Sequence, residues 1–253
     1  MRTDMQKLIA FLFLLLPFTA SIAADVPDLP DVDMTPIKVS ERVWYVKGKA
    51  GTATENAGFV SNAGFVITGD GVVVFDGLGT PVLASMMLKE IRKLTQEPIR
   101  KVVVSHYHAD HVYGLQVFKN EGAEILAPGG AIDYLNSDSA SSRLEERRVS
   151  LAPWVDDDTK LVPPDRYLTE SEIFKMGEVE FTISILGSAH SEGDLTLFVE
   201  PDRVLFSGDV IFDGRVPWLG DADTVNWLQT LNDIKSSRPA AIIPGHGGLS
   251  SDP

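Results

Sequence analysis

The chain has 253 residues, of which 44% are hydrophobic and 23% charged, so it can bury a substantial core without a metal or disulfide as structural support. Its formal net charge of −14 argues against nucleic acid as a partner, because an acidic surface repels a phosphate backbone. The absence of cysteine excludes thiolate metal ligands and a cysteine nucleophile.

The first residues have the features of an export signal. A basic start precedes the apolar run Leu8–Phe18, and the small residues Ser21 and Ala23 follow at the positions that a signal peptidase reads. The apolar run is short for a bilayer span, so an uncleaved anchor is the less favoured alternative. We predict a signal peptide over residues 1–24, a single mature domain over residues 25–253, a periplasmic or secreted location, and no stable membrane insertion after processing.

Short strand-like runs dominate the next part of the chain. Gly64–Ile67 and Val72–Phe75 flank a glycine-rich turn and predict a β-hairpin. The apolar spacing of Pro81–Leu94 predicts a helix, and Lys101–Val104 has the composition of a buried strand.

The second half of the mature chain is again rich in predicted strands. Ala123–Ala127 is a further strand, and residues 130–151 are mostly helical. Later strands are expected at Phe174–Met176, Val179–Leu186, Leu195–Val199, Val204–Phe206 and Ala241–Ile243. Asp223–Ser236 predicts an amphipathic helix whose buried stripe would be Val225, Leu228, Leu231 and Ile234. Two β-containing halves with helices outside are therefore expected.

Three of the five histidines form the pattern H-x-H-x-D-H directly after the strand at Lys101–Val104. In an extended stretch His106 and His108 would point the same way and could share one ion, whereas Asp110 and His111 suit a second ion. The segment is expected to continue from the strand as a loop. Imidazole and carboxylate ligands without sulfur suit Zn²⁺ and also permit Fe or Mn.

Three further candidate ligands occur in a similar setting. His190, Asp209 and His246 each follow an apolar run and lie beside glycine or small residues, so they are expected at strand ends. The alternatives are ordinary histidines and, for Asp209, a residue that caps a turn.

Several other polar residues have two interpretations. Asp76 either orients a ligand loop or occupies a turn, and Asp194 is favoured as a strand-start residue. Asn62, Tyr107, Arg215 and Trp218 could line a substrate cleft or serve only in packing.

Together these motifs resemble those of the metallo-β-lactamase superfamily, from about residue 41 to the C-terminus. The resemblance implies an α/β fold, a four-layer αββα sandwich. It also implies two zinc ions, with one site from His106, His108 and His190, a second from Asp110, His111 and His246, and Asp209 bridging them. Relatives usually continue into another helix after His246, so a truncated C-terminus or a reduced last layer is expected.

The resemblance implies a hydrolase for a small-molecule substrate. A metal-bridging hydroxide, oriented by the catalytic residue Asp110, would attack the carbonyl of an ester, thioester or amide/lactam. The ligand set is most similar to glyoxalase II and the general dinuclear hydrolases, since Asp209 is present and cysteine is absent. Residues 189–212, together with the export signal, resemble the periplasmic SoxH-like zinc hydrolases. Three alternatives stay open: a true metallo-β-lactamase, a mononuclear iron persulfide dioxygenase, and a non-catalytic metal-binding protein. No residue pattern specifies the substrate or an oligomeric state.

Overall fold

The computed structural model describes residues 29–251, so the predicted signal peptide lies outside the described residues. Seven strands form the first sheet, in the order β1 to β7. They are β1 (Ile37–Lys38), β2 (Val43–Val46), β3 (Ala63–Ile67), β4 (Val72–Phe75), β5 (Ile99–Val103), β6 (Glu124–Pro128) and β7 (Arg166–Leu168). Pairing is antiparallel from β1 to β4 and parallel from β4 to β7.

Five strands form the second sheet, in the order β12-β11-β10-β9-β8. They are β8 (Glu172–Met176), β9 (Val179–Gly187), β10 (Asp194–Glu200), β11 (Val204–Phe212) and β12 (Ala241–His246). Only β11 and β12 pair in parallel in this sheet. The helices are α1 (Pro81–Leu94), α2 (Ala109–Val112), α3 (Leu115–Asn120), α4 (Ala131–Leu135), α5 (Asp138–Ser150) and α6 (Thr224–Ser237).

The two sheets pack face to face and each carries helices on its outer side. In β4, Val73 and Phe75 pack against the second sheet, while Val72 and Val74 pack under α1. This double burial explains why β4 is apolar at every position, as is usual for strands covered on both faces. On the second sheet Trp227 and neighbouring apolar residues of α6 cover the outer face. The layers are therefore α, β, β and α, and the predicted sandwich fold is confirmed.

Local sequence features account for several elements. The predicted hairpin is present as β3 and β4, which pair antiparallel from Gly64–Phe75 to Ile67–Val72. The predicted helix is present as α1, where the Thr80 hydroxyl accepts from the Leu83 N–H at 3.1 Å and Pro81 stands in the first turn. Gly64 permits close sheet packing, because a Cβ there would lie 2.1 Å from the Phe206 ring.

The predicted buried stripe of α6 is half wrong, because Leu231 and Ile234 pack in the core but Val225 and Leu228 do not. Val225 is 80% exposed and Leu228 is 65% exposed, whereas Trp227 and Ile234 are buried. The helix is rotated relative to the prediction because the Trp227 indole lies inward, where its Nε1–H donates to the Val210 carbonyl at 2.8 Å. The bulkiest side chain thus determines which face is buried. Among residues 29–251, no helix combines the length and apolar character needed to cross a membrane.

Candidate metal centre

All seven predicted ligands lie together at one end of the seam between the sheets. The potential ligand atoms fall into two groups, and within each group they lie within 4.8 Å of one another. The first group is His106, His108, His190 and Asp209, and the second is Asp110, His111 and His246. Each group combines residues from the segment after β5, either the β5–α2 connection or α2 itself, with residues of the second sheet or its β9–β10 connection. The structure thus brings together the residues in the arrangement that the resemblance implied, although their assignment as ligands stays a prediction.

The histidine motif begins three residues beyond β5. The chain continues without regular structure to His108 and then forms the short helix α2, which starts at Ala109. Asp110 and His111 therefore lie on a helical turn, whereas the sequence predicted a loop. The helical turn directs these two side chains differently from His106 and His108, which separates the two groups.

Asp76 fixes the orientation of two of the histidines. Its buried carboxylate accepts a hydrogen bond from His111 Nδ1 at 2.9 Å and from the Ser105 amide and hydroxyl at 2.7 and 2.9 Å. Because Ser105 Oγ donates to Asp76, it accepts from His106 Nδ1 at 2.9 Å. Both imidazoles thus hold a proton on Nδ1 and direct Nε2 toward the cluster. Of the two interpretations of Asp76, the structure favours a residue that orients ligands.

His246 is held by the β2–β3 connection. Its Nδ1–H donates to the Val60 carbonyl at 2.7 Å, which also leaves Nε2 directed at the cluster. The Asn62 amide donates to the carbonyls of Pro244 and Gly247 at 2.7 and 3.1 Å and thereby stabilises the loop that contains His246. Asn62 does not line the cleft.

His190 lies on a turn that Asp194 stabilises. The Asp194 carboxylate accepts from the amides of Ala189 and Ser191 at 3.0 and 2.9 Å, in addition to being the first residue of β10. His190 Nε2 lies 3.1 Å from His108 Nδ1, so His108 presents its Nδ1 to the cluster.

Asp209 occupies the position between the two groups. Its Oδ1 lies 3.2 Å from His111 Nε2, and its Oδ2 lies 3.2 and 3.3 Å from the Nε2 atoms of His246 and His190. The sequence expected Asp209 beyond a strand that ends at Phe206, but β11 continues to Phe212. An irregularity in its pairing with β12 around Gly208 directs the Asp209 carboxylate into the site.

Several buried polar atoms in this cluster lack a hydrogen bond among the described residues. They include His106 Nε2, His111 Nε2 and Asp209 Oδ1. Buried polar atoms without a well-formed hydrogen bond cost free energy, and a cation between them would remove that cost. The donor set of imidazole and carboxylate without sulfur suits zinc. The residues present therefore fit a metal site.

The charges of the cluster perturb its own titration. Burial would raise the pKa of Asp209, but the nearby His246 and His111 outweigh it and hold the pKa well below its usual value. Burial would lower the pKa of His111, but the carboxylates of Asp209 and Asp110 raise it well above its usual value. Burial, together with the neighbouring imidazoles of His111 and His108, lowers the pKa of His106. Asp209 is therefore anionic and His106 neutral at neutral pH, the forms that coordinate metal.

A cavity of about 780 Å³ opens onto the cluster. It is lined by Tyr107, Arg215 and Trp218, for which the sequence left open a role in a substrate cleft or in packing alone. The Arg215 guanidinium lies 3.2 Å from His246 Nδ1. The sequence did not single out Tyr113 or the arginines of α5, which also line the cavity.

Comparison with known proteins identifies the family. Residues 56–246 match the profile of the metallo-beta-lactamase superfamily. The chain belongs to this superfamily. The resemblance inferred from the histidine motifs is thereby confirmed.

Curated relatives of this superfamily member include two kinds of hydrolase. It is 24% identical to the metallo-beta-lactamase IND-1 of Chryseobacterium indologenes over 96% of this chain and 92% of that protein. It is 30% identical to the acyl-coenzyme A thioesterase MBLAC2 of Gallus gallus, over 57% of this chain and 55% of that protein. The chain thus spans little more than half the length of the thioesterase.

Solved structures agree with the fold. A metallo-beta-lactamase from Pontibacter korlensis superposes with a TM-score of 0.66 at 19% identity, over 87% of this chain and 94% of that chain. A sec-alkylsulfatase from Pseudomonas sp. superposes with a TM-score of 0.67 at 17% identity, over 87% of this chain and 39% of that chain. At this identity the likeness concerns the fold alone.

Proposed function

We propose that this protein is a dinuclear zinc-dependent hydrolase that cleaves a small ester or thioester. The predicted hydrolase class is confirmed by the family and by the relatives, which are β-lactamases and thioesterases. The finer assignment rests on one observation. His106, His111 and His246 each commit Nδ1 to a fixed partner and turn Nε2 toward the carboxylate of Asp209.

The proposed ligands divide between two ions. His106, His108 and His190 would hold one ion and Asp110, His111 and His246 the other, with Asp209 shared between them. Two adjacent divalent ions lower the pKa of water toward neutrality and polarise a carbonyl.

The protein residues would hold and orient the reacting groups. Asp110 is proposed to orient the attacking water, since its carboxylate is 26% exposed while Asp209 is 5% exposed. The Asp110 Oδ2 atom lies 3.4 Å from His246 Nε2, at the border between the cluster and the cavity. Asp76 would keep His106 and His111 in a fixed orientation through the hydrogen bonds described above.

The cavity and the relatives support an acyl substrate. A volume of about 780 Å³ accommodates a molecule of drug-like size beside the metal cluster. The thioesterase relative supports a thioester, and its 30% identity is the highest among the curated relatives named above.

A β-lactam substrate is the second candidate. The IND-1 β-lactamase aligns with 96% of this chain, far more than the thioesterase does. A β-lactam is a strained amide, so the same metal cluster and the same attacking water would serve its hydrolysis.

Metal quantification with a substrate panel tests the proposal. The protein purified without residues 1–24 is expected to contain two zinc ions and to hydrolyse at least one ester, thioester or cephalosporin. Chelation should abolish hydrolysis and lower the thermal melting temperature, and added zinc should restore both. One iron per chain with oxygen consumption on a persulfide would refute the hydrolase, and a fully loaded protein inactive on the whole panel would favour a binding role.

We also propose export to the periplasm, on the basis of residues 1–24. N-terminal sequencing of the protein from a periplasmic extract should begin near residue 25. An intact N-terminus in the cytoplasmic fraction would contradict this proposal.

A further inference from the structure

The wall of the cavity beside the metal cluster contains a buried hydroxyl without a hydrogen-bond partner. Tyr113 is completely buried and lines the cavity, and its hydroxyl makes no hydrogen bond within 3.5 Å among residues 29–251, although the Tyr134 phenol interacts with it from nearby. Tyr107, in the same cavity, donates its hydroxyl to the Val162 carbonyl at 2.7 Å. A buried hydroxyl that stays unpaired is rare in folded proteins, because its desolvation is not compensated. Burial also raises the pKa of Tyr113, so the phenol stays protonated and available as a donor.

Two arginines of α5 lie beside this phenol. Arg143 and Arg147 are one helical turn apart and both line the cavity, and their positive charges act on the phenols of Tyr113 and Tyr134. The Arg147 side chain is 23% exposed and that of Arg143 is 55% exposed. Both guanidiniums thus face the same part of the cavity as the unpaired hydroxyl.

These two positive charges are only partly neutralised. Among the described residues Glu146 is the only carboxylate paired with either arginine, at 3.6 Å from Arg143 Nη1 and 3.5 Å from Arg147 Nε. Both distances exceed those of a charge-assisted hydrogen bond, which are about 2.7–2.9 Å. Asp133 and Glu192 also line the cavity but form no ion pair with these arginines within residues 29–251. Arg143, Arg147 and Glu146 together therefore carry one net positive charge near the Tyr113 hydroxyl.

We propose that Arg143, Arg147 and the Tyr113 hydroxyl form a binding subsite for an anionic group of the substrate. Two guanidiniums and a neutral phenol supply donors only, which suits a carboxylate or a phosphate. The inference rests on the proposed function, in that the anionic group belongs to the molecule cleaved at the metal cluster. The group stands either on the acyl chain or on the leaving thiol, and both sources present the same oxyanion chemistry.

Matched thioesters distinguish the two sources. The neutral reference is an acyl thioester of N-acetylcysteamine. The second substrate carries a terminal carboxylate on the acyl chain, and the third is the coenzyme A thioester of the neutral acyl group. The zinc-loaded wild type should have a clearly lower KM for one of the two anionic thioesters than for the neutral one.

Substitutions test the residues themselves. Arg143→Gln with Arg147→Gln should raise the KM for the preferred anionic thioester by on the order of tenfold or more, and leave the neutral thioester within about twofold. Tyr113→Phe removes only the hydroxyl and should raise the same KM severalfold without lowering the melting temperature. Arg100→Ala, an exposed arginine of β5, is the matched control and should change neither KM. Equal effects on neutral and anionic thioesters, or no effect on either, would overturn the subsite.

A binding measurement separates the subsite from the proposed reaction. Titration calorimetry with inorganic phosphate compares zinc-loaded wild type with the double glutamine variant, and phosphate held by the metals contributes equally to both. A weaker affinity in the variant supports the subsite even if no thioester is hydrolysed. An identical affinity, with active enzyme and no selectivity for anionic thioesters, would refute the subsite while leaving the hydrolase intact.

Discussion

Replacing Asp76 with Asn should weaken metal binding at both proposed sites. The carboxylate accepts the His111 Nδ1 proton directly and holds His106 through the Ser105 hydroxyl. An Asn side chain can accept with Oδ1 on one side only, and its NH₂ group would then face a donor on the other side, either the Ser105 amide or the Ser105 hydroxyl and His111 Nδ1. The backbone tolerates the change, because the φ of +63° at Asp76 lies in the left-handed region that Asn also adopts.

The expected loss follows from the hydrogen bonds that Asp76 accepts. Removing an outer partner of a metal-bound histidine typically costs about 10- to 100-fold in metal affinity. At about 1.4 kcal/mol per tenfold change, this corresponds to roughly 1.4–2.7 kcal/mol for each ion. The range agrees with about 1.5–3 kcal/mol for one hydrogen bond to a charged group.

Competition with a fluorescent zinc chelator measures both dissociation constants. Asp202→Asn is the matched control, because the Asp202 side chain is only 4% exposed but pairs with Arg42 at 3.3 Å and belongs to neither ligand group. It should leave zinc affinity unchanged. If Asp76→Asn binds both ions within about twofold of wild type and keeps a native circular dichroism spectrum, the orienting role of Asp76 is refuted.

Three further predictions concern the metal and its surroundings. Chelation should lower the melting temperature in calorimetry, since an ion present at 100 times its Kd stabilises the folded state by about 2.7 kcal/mol per site; an unchanged melting temperature would argue against tight metal binding. Gly245→Ala should reduce the zinc content in metal analysis, because the new Cβ would lie 1.9 Å from Asp209 Oδ1. The control Gly248→Ala, whose Cβ meets nothing closer than 3.2 Å, should keep the wild-type zinc content. Equal zinc contents in the two variants would contradict the steric argument. Tyr107→Phe removes a hydrogen bond to the Val162 carbonyl, so its free energy of unfolding in urea should fall by about 0.5–1.5 kcal/mol, whereas that of Tyr113→Phe should not. Equal losses would mean that the Tyr113 hydroxyl is paired.

The sequence predicted most accurately the features that depend on local patterns. Strand β4, helix α1 and the H-x-H-x-D-H motif each have a short-range signal in composition or spacing. The six other candidate ligands also fall into the two groups that the family resemblance implied, and Asp209 lies with the first group.

Features that depend on tertiary packing were missed or mistaken. Helix α6 carries apolar residues on more than one side, so spacing alone did not reveal that Trp227 would lie inward. Helix α5 is largely polar, and only its docking brings Arg143 and Arg147 to the cavity. The hydrogen bond between Asp76 and His111 joins residues 35 positions apart, so the sequence alone left two interpretations of Asp76 open.

The cluster lies at the seam between the two sheets, so a bound metal would affect the stability of the fold as well as the chemistry of the site. Each group joins residues that follow β5 of the first sheet to residues of the second sheet or its β9–β10 connection, and His108 and His190 meet although they are 82 residues apart. A bound cation would thus act as a reversible cross-link, and the loop entropy it removes would be returned whenever the ion dissociates. Removal of zinc should accordingly speed amide hydrogen exchange first in α2 and at the end of β12. Loss of the ion would thus cause a local separation of the two sheets at the cluster.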